Sequence, residues 1–130
     1  MTQEQKDLLL KDLCARLPYR VVVSFKNSDT KEAFNQILDY TLVHMAEYIP
    51  YIGGIEIKPY LRPMPSMTEK EKKDRDNIVE AVYDGAVIDD EFENVIKYVD
   101  WLNAHHFDYR GLIPMSLAIE VTEENNPYKE

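Results

Sequence analysis

Prolines at 18, 50, 59, 63, 65, 114 and 127 punctuate this chain and limit where its helices and strands can begin and end. Proline lacks an N–H and disfavours helical geometry in the residue before it, so each one bounds an element or marks a sheet edge. Between these stops the hydrophobic period switches between helical and alternating. A chain of 130 residues has the size of one domain. The expected class is therefore α+β: a small sheet of short strands with about three helices, in a single domain over 1–130.

Thr2 and Gln5 have capping-box spacing, and helix-forming residues follow as far as Arg16, where Pro18 stops them. Leu9, Leu10, Leu13 and Leu17 are assigned to the buried face. Cys14, set among them, reads as a small buried hydrophobe rather than a reactive thiol. Residues 21–25 (VVVSF) read as a strand, and Asn27, Ser28 and Asp29 as a turn. Residues 31–48 carry two competing patterns. Ala33, Phe34, Ile37, Leu38, Thr41, Leu42 and Met45 recur at helical spacing, whereas Phe34, Leu38, Tyr40, Leu42 and Tyr48 share one parity. Periodicity favours the helix, with a long strand or hairpin as the alternative. Pro50, Gly53 and Gly54 close the segment. Residues 55–58 read as a short strand that Pro59 ends at a sheet edge.

Arg62, Pro63, Met64, Pro65 and Ser66 make a stiff joint between two halves, 1–65 and 66–130. Thr68 and Glu71 form a second capping box before a charged helix to about Tyr83, with Ile78, Val79 and Val82 as its apolar stripe. Asp84 and Gly85 turn the chain. Asp90 and Glu93 are expected to cap a third helix whose inner face is Phe92, Val95, Ile96, Val99 and Leu102. Trp101 is expected to be buried where that helix meets the last strand. Met115, Leu117, Ile119 and Val121 alternate as in a half-buried strand, and residues 123–130 read as a polar, frayed tail.

Three segments taken together carry a resemblance: LLLKDLCARLPY at 8–19, IKPYLRPMPSMTEKEK at 57–72 and DWLNAHHFDYRGLIPMSLAIE at 100–120. They are similar to a family of small uncharacterised proteins from gut Bacteroides-type bacteria, their phages and mobile elements. The chain departs from that pattern at Arg20, where glycine is usual, and at Pro65, where serine is usual. Residues 26–54 match poorly, and relatives there look like β-hairpins. The resemblance implies a phage or mobile-element setting. The family has no established activity, so it implies no site residue.

The charge distribution excludes one class of partner. Residues 1–65 hold eight Lys/Arg and eight Asp/Glu, whereas residues 66–130 hold seven and sixteen, so the net −9 belongs to the second half. Such a surface repels phosphate backbones, and no nucleic-acid partner is expected. No apolar run approaches the roughly 20 residues that span a bilayer, and the N-terminus lacks a signal-peptide pattern. A cytoplasmic location without membrane contact is expected. A single cysteine rules out a disulfide within the chain and any multi-cysteine zinc site.

Chemistry has few places to reside. His105, His106 and Asp108 offer imidazole and carboxylate for a metal-dependent hydrolase. However, adjacent histidines at a helix end point about 100° apart and share one ion poorly. A histidine there also satisfies the last helix carbonyls. Asp84, Asp89, Asp90, Glu91 and Glu93 are acidic but lack the order of a calcium loop. Spread along one face, such carboxylates suit an acidic mimic of DNA. Neither a phosphate loop nor a nucleophile elbow is present. A third kind of signal is interfacial: Tyr60, Arg62 and Met64 sit among prolines, and His105, His106, Asp108, Tyr109 and Arg110 form an aromatic and charged run. The favoured expectation is a non-enzymatic protein-interaction module without cofactor, binding another protein or itself through those eight residues. The hydrolase and the DNA mimic are the alternatives.

Overall fold

In the computed structural model Thr2 caps α1 (Gln3–Arg16) through both arms of the expected capping box. The Gln5 N–H donates to Thr2 Oγ1 (3.1 Å) and the Thr2 N–H donates to Gln5 Oε1 (3.0 Å). Pro18 sits in a 3₁₀ turn directly after α1, and Arg20 turns the chain through a left-handed conformation (φ 58°). There follow β1 (Val22–Asn27), β2 (Glu32–Ile37), α2 (Tyr40–Glu47), β3 (Ile55–Leu61), α3 (Glu69–Tyr83), α4 (Ile88–Ala104) and β4 (Ile119–Glu120). The structure describes residues 2–47, 54–83 and 88–129, with side chains described outside 79–94. The α+β class holds, with four helices among the described residues rather than about three.

The extra helix comes from residues 31–48, which are part strand and part helix. Asp39 divides them: its carboxylate accepts the Leu42 N–H (2.9 Å) and starts α2. Before it, β2 pairs antiparallel with β1 across the turn in which Asn27 Oδ1 accepts the Asp29 and Thr30 N–H groups. After it, Leu42, Val43 and Ala46 are buried at helical spacing. Each of the two periodicities in the sequence is correct over half the segment. Tyr48, Pro50 and Gly53 lie outside the described residues, as do Asp84 and Gly85.

The sheet runs β2-β1-β3-β4, antiparallel except for the parallel β3/β4 pair. Strand β3 does not end at Pro59 but continues to Leu61, and Pro59 is fully buried opposite Val23. The Leu38 N–H donates to the Val21 carbonyl (2.8 Å), so odd-numbered β1 residues point their backbone groups at β2 and even-numbered ones at β3. Val23 and Pro59 are thus a non-hydrogen-bonded pair, and the missing N–H of Pro59 breaks no bond to β1. On its other side β4 begins pairing only at Tyr60. The next rung, Val22 with Tyr60, is filled by a side chain. The Val22 N–H donates to the Tyr128 hydroxyl (2.9 Å), which donates to the Tyr60 carbonyl (2.7 Å). The tail is therefore anchored through Tyr128 rather than frayed throughout.

The final strand is much shorter than the alternation of 115–121 suggests. Residues 112–116 turn instead, because the Asp108 carboxylate collects the N–H groups of Leu112 (2.8 Å) and Ile113 (2.9 Å). Only Ile119 and Glu120 pair with β3. Thr68 and Glu71 form the second capping box as expected (3.1 and 2.9 Å), at the start of α3. Along α4 the expected inner face is only partly inner. Leu102 is buried and Val99 half-buried, but Val95 and Ile96 are exposed, and the Phe92 side chain lies outside the described residues. Trp101 is half-buried, against Phe107 and His105.

Leu9, Leu13, Val21, Val23, Ile57, Leu61 and Leu112 make the centre of the core. The face of α1 that enters it is only partly the one its leucines suggest: Leu9 and Leu13 are buried as expected. Leu10 and Leu17 are half-buried and Cys14 is exposed, while Asp12 and Arg16 are fully buried. The two charges pair: Arg16 Nε donates to Asp12 Oδ2 (2.7 Å), and Arg110 Nη1 donates to Asp12 Oδ1 (2.9 Å). Arg16 Nη2 donates to the Phe107 carbonyl (2.6 Å). Removing one member of such a cluster strands the other charges. Asp12→Ala should therefore cost about 3–5 kcal/mol, read as a lower urea midpoint at unchanged slope. Tyr128→Phe, which strands the Val22 N–H and the Tyr60 carbonyl, should cost about 1–3 kcal/mol in the same measurement.

Candidate functional site

The two segments singled out for their aromatic, proline and charged residues meet in space. The Arg62 N–H donates to the His106 carbonyl (2.8 Å) and the Asp108 N–H donates to the Arg62 carbonyl (2.9 Å), forming a parallel bridge between Arg62 and Phe107. Tyr60, Arg62 and Met64 thereby lie along one side of a seam. His105, His106, Asp108, Tyr109 and Arg110 lie along the other.

Most of these side chains are engaged within the fold. Arg62 does not stand free between its prolines. It binds Glu71 through both terminal nitrogens (2.6 and 2.7 Å) and covers the Phe107 ring at 4.3 Å. Tyr60 is buried, and its hydroxyl donates to Asn35 Oδ1 (3.2 Å). Arg110 serves Asp12 and lies over the Tyr109 ring at 4.7 Å, and the Tyr109 hydroxyl donates to Asn103 Oδ1 (2.9 Å). Met64 packs on the small cluster of Met67, Leu102 and Phe107.

The three residues of the hydrolase alternative do not converge. His105 Nδ1 is 3.4 Å from Glu71 and its ring contacts Trp101. His106 takes a left-handed conformation (φ 64°), which throws its ring the other way, onto Tyr128 at 4.0 Å and 8° between planes. Both Asp108 oxygens are committed to backbone N–H groups. Among the described residues no group of three or more His, Cys, Asp or Glu is arranged to hold a metal ion. An open groove of about 320 Å³ between α1, β3 and residues 115–117 is lined by Leu9, Ile57 and Leu117, with Gln5 and Lys58 at its rim. Ser116 and Glu56 also line it, and among the described residues no hydrogen bond joins the Ser116 hydroxyl to Glu56 or Lys58.

Sequence reasoning missed an exposed apolar surface at the far end of the sheet. Strand β2 is an edge, and Phe34 and Ile37 are 43% and 41% exposed; Tyr40, at the start of α2, is 74% exposed. Phe34 stacks on the buried Phe25 (4.8 Å) yet keeps its outer face open. Residues 33–37 (AFNQI) contain no charge and no proline, the devices that usually protect an edge. That absence is the available signal, and the helical period of the segment obscures it.

Titration in the seam follows its contacts. The hydrogen bond from Arg62 holds the Glu71 carboxyl down to about 2, against burial and with help from the Thr68 N–H and hydroxyl. Burial, then the charges of Arg16, His105 and Arg62, lowers His106 to about 4. Glu71 thus contributes stability in full above its ordinary value of 4.5, lost as pH falls towards 2. His106 is buried neutral, so stability also declines as pH falls from 6.5 towards 4, where the unfolded imidazole takes up a proton first. A proton NMR titration should find the His106 midpoint near 4. Glu71→Gln should flatten the loss of stability below pH 4.5 that the wild type shows.

No protein-family model matches the chain, and neither a curated protein nor a solved structure matches it.

Proposed function

We propose that the chain is a non-enzymatic protein-interaction module that works through the β2 edge. The observation carrying this reading is the combination at that edge of open ladder positions with exposed Phe34, Ile37 and Tyr40. An edge of this kind recruits a strand from another chain, with main-chain hydrogen bonds giving affinity and side-chain contacts giving selectivity. The seam supports a secondary contact through half-buried members such as His105 and Met64, while Tyr60 and Asp108 are buried and hold the fold. Net charge of −9 favours a partner that is not a nucleic acid. Among the described residues no helix is long and apolar enough to cross a membrane. Action in the cytoplasm, on a protein partner, belongs to the same proposal. A phage or mobile-element accessory role fits the sequence resemblance. Arg20 supports it in one detail: its left-handed backbone is the conformation that favours glycine, the residue usual there in the resembled family.

The experiment is affinity capture from a bacterial host lysate with wild type, Ile37→Lys/Tyr40→Ala and His105→Ala. The edge variant should stay folded and lose captured protein by an order of magnitude or more, because interface anchors typically carry about 2 kcal/mol or more each. Capture that survives the edge variant and is abolished by His105→Ala would move the site to the seam.

A further inference from the structure

The geometry points to a second copy of this chain as the strand that the β2 edge accepts, paired antiparallel about a two-fold axis through Asn35. The inference rests on the interaction reading above and names its partner. Its first support is the hydrogen-bond phase of the sheet. Because the Leu38 N–H donates to Val21, the even-numbered residues of β2 turn their backbone groups towards β1. Ala33, Asn35 and Ile37 therefore turn theirs outward, and all three residues are exposed. Only registers that pair odd-numbered residues with odd-numbered ones can form between two such edges.

Among those registers, the one centred on Asn35 stands apart. It pairs Ala33 with Ile37 of the second copy, Asn35 with Asn35, and Ile37 with Ala33, each pair exchanging both N–H···O bonds. Shifting the centre by one residue in either direction sets Ile37 opposite Lys31, or Ala33 opposite Asp39, so that an outward residue of β2 faces one lying outside the strand. The same register brings Lys31, in the turn just before β2 (φ 66°), towards Asp39 of the second copy, just after it, twice by symmetry; the Asp39 carboxylate also accepts from the Leu42 N–H and from Gln36 Nε2 (3.2 Å). Like charges do not meet. Small Ala33 lies against larger Ile37, so the exposed apolar surface of Ile37 is covered without a clash. On the other face Phe34 lies opposite Gln36 and diagonal to the other Phe34, within reach of aromatic contact. The Asn35 carboxamide oxygen already accepts the Tyr60 hydroxyl (3.2 Å), which leaves its amide hydrogens to face the two-fold axis. No residue-level bulge interrupts the one-to-one register of β2, so the edge is straight enough to pair along its length. An isologous contact of this kind closes on itself and stops at a dimer, with one continuous sheet running through both copies.

Sedimentation equilibrium of the full chain should show a reversible dimer. Lys31→Glu, which sets a carboxylate against Asp39 twice, should weaken it roughly tenfold while leaving the thermal midpoint of the monomer in place. Oxidation of Asn35→Cys in a Cys14→Ser background should give a disulfide-linked dimer, because the paired Cα atoms fall within bridging range. Thr30→Cys in the same background, at the hairpin turn, should not crosslink. A chain that stays monomeric at the highest soluble concentration, or Asn35→Cys crosslinking no faster than Thr30→Cys, overturns the pairing. If the chain is monomeric while the Ile37→Lys/Tyr40→Ala variant still loses capture from lysate, the second copy is excluded and the interaction reading stands. If self-association and capture are both indifferent to the edge, both fall.

Discussion

The buried pair of Asp12 and Arg16 is the contact on which the rest of this structure depends. Both lie on the inward face of α1, fully removed from water, where an unpaired charge would not be tolerated. Arg16 Nη2 and Asp12 Oδ1 reach across the chain, to the Phe107 carbonyl and to Arg110, and so tie the first helix to the turn that follows α4, while Arg16 Nη1 is buried without a partner. Residues far apart in sequence are thereby brought into one cluster. The guanidinium planes also lie against Tyr109, at 5.2 Å for Arg16 and 4.7 Å for Arg110. Polar matching here sets one arrangement of α1 and the turn relative to the sheet, where leucines alone would tolerate several.

From that anchor the seam follows. With residues 106–108 held in place, the Arg62–Phe107 bridge extends the sheet edge, and Arg62 can sit on Phe107 while gripping Glu71. Glu71 is itself half of the α3 capping box, so the same carboxylate orients a helix start and neutralises a half-buried arginine. Burial, and after it the positive side chains nearby, disfavour the charged form of His106, and its ring stacks on Tyr128, whose hydroxyl completes the β1–β3 ladder. The run of histidine, aspartate and arginine, reactive in composition, is engaged mainly in structural contacts, with His106 Nδ1 buried and without a hydrogen-bond partner.

Those contacts leave apolar surface elsewhere. Strand β2 is a sheet edge whose side chains, the half-buried Gln36 apart, are exposed, and α4 keeps Val95 and Ile96 in water. A monomer gains nothing from either patch. At β2 the phase of the backbone, the lack of protective charge and the placement of Lys31 and Asp39 combine into a surface that can be read, whereas the α4 patch has no comparable register.

Local chemistry was decided by the sequence alone. Capping boxes at Thr2 and Thr68, the stop at Pro18, the strand character of VVVSF and the turn at Asn27 all depend on neighbours a few residues away, and the structure contains each of them. The division of 31–48 was half legible, since both periods were visible but not the role of Asp39 as the boundary. Of the site, the two segments were legible as unusual, though not that they meet, nor that they serve the fold. Tertiary structure decided which face of α1 is buried. Asp12 and Arg16 can enter the core only because Phe107 and Arg110 supply partners, and those lie far along the chain. It also decided that 112–116 turn instead of extending, because the Asp108 carboxylate captures two backbone donors there. Burial of a charge, the phase of a ladder and the exposure of an edge depend on what arrives from elsewhere in the chain, and no local pattern encodes them.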